Sequence, residues 1–230
     1  MFSNALLSAT TALLACSSFA AAAPQGTPEV SLTNKLRNAD TFIDHYKLLP
    51  EDKDFLFSFK DAPLGMADAK SFPALTGTGV SLALAQIPGC SMVMLHTHPR
   101  ASELFAVVTG SVYTEAVPEG GVMDSEGKPR VIRNTINAGE ATIFYQGTKH
   151  YQVNTNCEPA TALAAFPSEN PGTAAVAPGL FSIKTEGISR LLGEAIDGED
   201  IERIRKSIPT EIGIKVDECL AKCGKQKRQF

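Results

Sequence analysis

Short runs of apolar or alternating residues fill the middle of the chain, and turn residues break them at regular intervals. The runs are Val80–Ile87, Met92–His98, Glu103–Val117, Ala141–Tyr145, His150–Asn156 and Ala160–Phe166. Alternation with a period of two over segments this short predicts strands with one buried face, and their spacing predicts an all-β domain. Gly110, Gly139 and Gly147 are read as turns, and Pro118–Lys128 as a loop between strands. Upstream, residues 24–75 mix polar, Pro and Gly residues with one apolar run, Phe55–Phe59, that predicts a further strand. Downstream the period lengthens to that of a helix over Ile188–Ile196 and again over Glu199–Ile208, where Ile201, Ile204 and Ile208 share a face. No segment repeats, so one domain with extensions is predicted. Its parts are a signal segment over 1–22, an N-terminal arm over 23–75, the β-domain over 76–180, and C-terminal helices and tail over 181–230.

The first 23 residues carry no charge, and the run Ala5–Ala15 is apolar or small. Ser18-Phe19-Ala20 and Ala20-Ala21-Ala22 both suit a small-residue cleavage site, so the segment reads as a secretory signal and the mature protein as secreted. The run is too short to span a bilayer, and no later stretch is long enough. The 25 acidic and 21 basic residues give a net charge of −4 at pH 7, which favours neither nucleic acid nor an anionic membrane as partner. Lys222, Lys225, Lys227 and Arg228 form a small basic cluster read as solvated tail. Removing Cys16 with the signal leaves Cys90, Cys157, Cys219 and Cys223, an even number that predicts disulfides in an exported chain. Cys219 and Cys223 stand at helical i, i+4 spacing, close together but poorly placed to bridge each other within a helix.

Three of the four histidines fall in two short segments, His96-Thr97-His98-Pro99-Arg100-Ala101-Ser102-Glu103 and Gly147-Thr148-Lys149-His150. In a strand, His96 and His98 point to one face. Glu103 adds a hard anionic oxygen and His150 a third nitrogen. Three imidazoles and one carboxylate leave coordination positions open, which suits redox or Lewis-acid chemistry. His45, outside both segments, is read as an ordinary polar residue, and Arg100 as pairing with a carboxylate or carbonyl at the rim. Asn154 is read as tying down backbone. By parity, Phe105 and Val107 follow Glu103 inward, Gln152 and Asn154 follow His150, and Met92 and Met94 join His96 and His98 unless a bulge intervenes.

These two segments, with Gly89 before the first and Pro167-Ser168-Glu169-Asn170-Pro171-Gly172 after the second, resemble the two-box signature of cupins. His96–Glu103 is similar to the germin and spherulin-like branch. Tyr145 stands where the family usually has proline. Six residues separate Gly89 from His96, one more than usual in the family, which predicts a bulge. The resemblance implies a jelly-roll β-barrel, Mn(II) held by His96, His98, Glu103 and His150, and a homo-oligomer clasped by its C-terminal helices. Donor chemistry alone does not select manganese over iron, copper or zinc.

The resemblance also sets out the activities. Superoxide dismutation leads, with a small anion reaching the open positions. A non-enzymatic extracellular structural or storage role, as implied by the spherulins, comes second. Oxalate oxidation comes third, because that chemistry in germins is associated with an asparagine three residues before the first histidine, where this chain has Val93. If His150 opposes His96 or His98, paired positions sum to 246 or 248, whereas Cys90 and Cys157 sum to 247. The bulge before His96 would repair that parity, so a Cys90–Cys157 bridge is predicted.

Overall fold

A computed structural model describes residues 30–60, 65–209 and 213–224. The predicted signal segment, and Lys225, Lys227 and Arg228, lie outside the described residues. Two short helices open the described chain, α1 (Leu32–Arg37) and α2 (Phe42–Leu48), each started by a hydroxyl that accepts from the third residue on: Ser31 from Asn34, Thr41 from Asp44. Eleven strands follow among the described residues: β1 (Met66–Ala67), β2 (Ser81–Ile87), β3 (Ser91–Thr97), β4 (Glu103–Thr109), β5 (Ser111–Val117), β6 (Ile132–Asn137), β7 (Ala141–Phe144), β8 (Lys149–Asn154), β9 (Ala160–Phe166), β10 (Ala174–Ala175) and β11 (Gly213–Lys215). Helices α3 (Val176–Phe181), α4 (Thr185–Leu191) and α5 (Gly198–Ser207) precede β11, and α6 (Asp217–Lys222) follows it.

The strands form two antiparallel sheets, in the orders β1-β2-β9-β4-β7 and β10-β3-β8-β5-β6, with β11 also paired to β3. The sheets face one another as a jelly roll. Between them lie Phe105, Phe144, Phe166, Val107, Val112, Ile136 and the small residues Ala160, Ala162 and Ala164, all buried. Each large side chain enclosed there contributes about 1.5–3 kcal/mol through removal from water. The strict in–out burial of β5 and β9 is what their alternating sequences predicted. Gly110, Gly139 and Gly147 take φ of 78, 86 and 80°, as turn residues.

Several expectations are corrected. The run Phe55–Phe59 is not a strand: Phe55 closes a 3-10 turn (Asp52–Phe55), and Phe57 packs its ring on Phe59 and Phe72 rather than into a ladder. Strand β6 escapes the periodicity because it is a sheet-edge strand with two apolar residues, Ile132 and Ile136, among polar ones. Helix α4 starts earlier than predicted and stops at Leu191, where Gly193 and Glu194 turn to φ of 65 and 59°. Helix α5 lies one residue from its predicted span at each end, and Ile201 is fully enclosed.

The predicted bulge is present between Val93 and His96. His96 opposes His150, and Val93 opposes Gln152, so the shifted register turns Val93 inward instead of Met92, which pairs with Val153 and Ile214. Met94 is buried.

The Cys90–Cys157 bridge is overturned: Cys90 bonds to Cys219 and Cys157 to Cys223. At Cys90 the chain leaves the ladder, with φ 56° and its N–H donated to Asn156. Gly89 lies so close to the opposite strand end that a Cβ there would meet the Cys157 carbonyl oxygen at 2.1 Å. Helix α6 presents Cys219, with Cys223 just past its end, over this crossing. The i, i+4 spacing was therefore informative about proximity, and each member bridges to a different strand end.

Candidate metal centre

All four predicted donors are brought together. His96 lies in β3 and His98 directly after it; Glu103 opens β4 in the facing sheet; His150 lies in β8, opposite His96. Their ligand atoms lie within 4.8 Å of one another, and every one of these residues is 5 % exposed or less. Glu103 Oε2 stands 2.8 Å from His98 Nε2 and 3.0 Å from His150 Nε2. The barrel explains the convergence, since two sheets must each deliver inward-facing side chains to one point.

Each imidazole is oriented by its other nitrogen. His96 Nδ1 donates to the Met94 carbonyl at 2.8 Å, His150 Nδ1 to Thr148 at 2.8 Å, and His98 Nδ1 to Gly172 at 2.6 Å. A carbonyl only accepts, so these bonds place a ring proton on Nδ1 and leave Nε2 as the nitrogen turned to the centre. Glu103 Oε2 stands at hydrogen-bonding distance, 2.8–3.0 Å, from two of these Nε2 atoms, contacts that need a proton or a metal cation between them. This donor set could hold a metal ion, and its second nitrogens are already fixed in the way metal-bound histidines require.

The electrostatics agree. Burial pushes His96 down to about 4, with the neighbouring His150 adding to the effect, so its imidazole is neutral at pH 7. For Glu103 burial alone acts upward, but the contacts from His150 and His98 outweigh it and hold the carboxyl down to about 2. An ionised Glu103 and a neutral His96 are protonation states that suit a divalent ion.

The walls are aromatic. Phe144 stacks on His150 with ring centres 4.0 Å apart, and Phe166 meets His98 edge-on at 4.7 Å. Phe144, the buried last residue of β7, is not among the residues predicted to face inward; its apolar side chain in the run Ala141–Tyr145 is the available signal. Gln152 and Asn154 are buried on the inner side of β8, as predicted. Asn154 ties backbone, donating to the Ile87 and Glu158 carbonyls and accepting from Asn156 N–H. Gln152 Oε1 is buried, with no hydrogen-bond partner among the described residues. His45 lies on α2 away from the centre, beside Phe42.

The family profile for cupins matches residues 56–194. Spherulin-1A of Physarum polycephalum is 32% identical over 213 residues, covering 87% of this chain and 82% of that protein. Germin-like protein subfamily 2 member 3 of Arabidopsis thaliana is 31% identical over 191 residues, covering 77% and 83%. A solved oxalate oxidase superposes with a TM-score of 0.57 at 23% identity, over 67% of this chain and 81% of that one, which shows a shared fold. The chain belongs to the cupin family, and its relatives are spherulins and germin-like proteins.

Proposed function

We propose that this protein is an exported cupin that binds one Mn(II) through His96, His98, Glu103 and His150 and acts as a superoxide dismutase. The observation that carries the reading is the meeting of three carbonyl-anchored imidazoles and one ionised carboxylate whose ligand atoms all lie within 4.8 Å of one another. Manganese is the ion implied by the resemblance to germins, and a carboxylate with imidazoles suits it. When bound, that ion supplies one-electron chemistry by alternating between the +2 and +3 states.

The chain's own residues set the conditions. Glu103 supplies the single negative charge of the ligand set. Phe144 and Phe166 keep the histidine rings against an apolar wall. Gln152 Oε1 offers an unpaired acceptor on the inner face, able to hold a proton-bearing species. Deep burial favours a small reactant such as superoxide. Oxalate, a dianion, needs further donors, and the inward-facing Val93 supplies none.

Export rests on the signal-like segment and the two disulfides; among the described residues no helix is long and apolar enough to cross a membrane. A homo-oligomer is supported by Leu104, Val108, Ile143 and Tyr145, apolar and exposed along β4 and at the end of β7. A second reading, a non-enzymatic structural or storage protein, is favoured by the extent of the match to Spherulin-1A.

Elemental analysis of protein purified without added metal, followed by superoxide consumption by wild type and His98→Ala, decides between these. Manganese in wild type with activity lost in the variant supports the dismutase. Bound metal with equal, background-level rates removes that reading and leaves the structural one.

A further inference from the structure

The three ligand histidines are not anchored alike. His96 and His150 donate to carbonyls two residues before them in their own strands, so those bonds form whenever β3 and β8 form. His98 donates to Gly172, 74 residues away, in the turn that leads from β9 to β10. Its orientation therefore depends on how that turn is held.

The turn is held at every step. Five consecutive carbonyls are occupied: Ser168 by the Ser81 hydroxyl at 2.7 Å, Glu169 by Ala69 N–H at 2.9 Å, Asn170 by Arg100 Nε at 2.7 Å, Pro171 by Arg100 N–H at 3.1 Å, and Gly172 by His98. Arg100 Nη2 also donates to Asn170 Oδ1 at 2.7 Å, so its guanidinium grips one residue through two bonds. The Glu169 carboxylate accepts from Gly77 N–H and lies 4.0 Å from Arg37. Gly172 takes φ 66°, a conformation that favours glycine, and a Cβ there would stand 2.6 Å from Arg100 Nη2 and push the guanidinium aside.

We infer that Ser168–Gly172 is a strap that sets the tautomer and ring direction of His98, with Arg100 as its positioning residue. This rests on the metal-binding reading above and deepens it: two ligands are fixed by strand formation, and the third by a remote clamp that Arg100 closes. Fixing a histidine's second nitrogen is generally worth about 10–100-fold in metal affinity.

The test uses wild type, Arg100→Ala, Asn170→Ala, which removes one of the two guanidinium bonds, and Gly172→Ala. Nitrogen-15 histidine spectra of metal-free protein at alkaline pH read each ring's tautomer, and titration with Mn(II) reads affinity. In wild type all three rings are expected as Nδ1–H. In Arg100→Ala and Gly172→Ala, His98 alone becomes a mixture while His96 and His150 keep theirs, and Mn(II) affinity falls about 10–100-fold. Asn170→Ala is expected to give a smaller shift in the same direction, which keeps the test open should Gly172→Ala fail to fold. An unchanged His98 in every folded variant, or all three rings changing together, overturns the strap. Failure of wild type to bind Mn(II) overturns the metal reading instead, and the tautomer spectra still decide the strap.

Discussion

The paired strands β3 and β8 are finished differently at their two ends. At one end His96, His98 and His150 meet Glu103, and the order comes from hydrogen bonds to carbonyls and from a wall of phenylalanines. At the other end Cys90 and Cys157 are tied covalently to Cys219 and Cys223 on and beside α6, with Cys90 Sγ and Cys223 Sγ 3.4 Å apart across the two bridges. The chemical end is fixed by many directional bonds, each modest, that aim donor atoms. The stapled end is fixed by two bonds that restrict the unfolded chain. The two ends should therefore respond to different insults.

The largest effect is expected at the chemical end. His150→Ala removes the donor that opposes His96 and contacts Glu103, and Mn(II) affinity should fall about a thousandfold or more, roughly 4 kcal/mol. Equilibrium dialysis checks this, and a folded variant that retains wild-type affinity would place His150 outside the ligand set. At the stapled end the double variant Cys90→Ser/Cys219→Ser opens a loop with a sequence separation of 129 residues. Its stability should fall by about 2–4 kcal/mol, with the metal stoichiometry of the folded protein unchanged. Denaturant melts with parallel metal analysis measure both, and loss of metal from the still-folded variant would break the distinction between the ends.

Acid should act next, and through the chemical end. In the unfolded chain His96 and Glu103 return to ordinary values of about 6.5 and 4.5, whereas in the folded one they lie near 4 and 2. The unfolded state thus binds more protons over this range, and the stability of metal-free protein must fall as pH drops. The His96 contribution is complete above about 6.5 and is lost toward 4; the Glu103 contribution is complete above about 4.5 and is lost toward 2. Urea midpoints across that range should decline by an amount equivalent to roughly 1–3 kcal/mol, and a flat profile would contradict the protonation states assigned here. The smallest effect is expected on the outer face of the second sheet. There the exposed Arg133 pairs at 3.3 Å with a half-buried Glu115 that also accepts from the Tyr113 hydroxyl, so Arg133→Ala should change stability by no more than about 0.5 kcal/mol. A loss well beyond that in the same melts would show a structural weight that a pair at the sheet's outer face does not suggest.

The same contrast explains what could be read from the chain. The chemical end is local in sequence: His96 and His98 two apart, Glu103 five further, His150 with its preceding glycine, and an extra residue that announced the bulge. Parity then put Phe105, Val107, Gln152 and Asn154 inside, as found. The bulge also reversed parity upstream, which is why Val93 and not Met92 faces the interior. The stapled end depends on where α6 docks, a long-range fact that no periodicity carries, so the two cysteines at the strand ends were matched to each other when their partners lay on α6 and just past its end. The run Phe55–Phe59 misled for a related reason, since aromatic residues suit a strand only where a neighbouring strand receives them. The reach of His98 to Gly172 lay in view as the Asn170-Pro171-Gly172 motif, but the partner of a backbone carbonyl is set only by the fold.

The central claim is a single cation held by four side chains from two facing sheets. Metal content after Mn(II) loading and removal of free ion, compared between wild type and Glu103→Gln, tests it most directly. The account predicts close to one manganese per chain in wild type and loss of most of it in the variant, which keeps the shape of the carboxylate without its charge. Wild type that retains no metal, or a variant that retains as much as wild type, would contradict it.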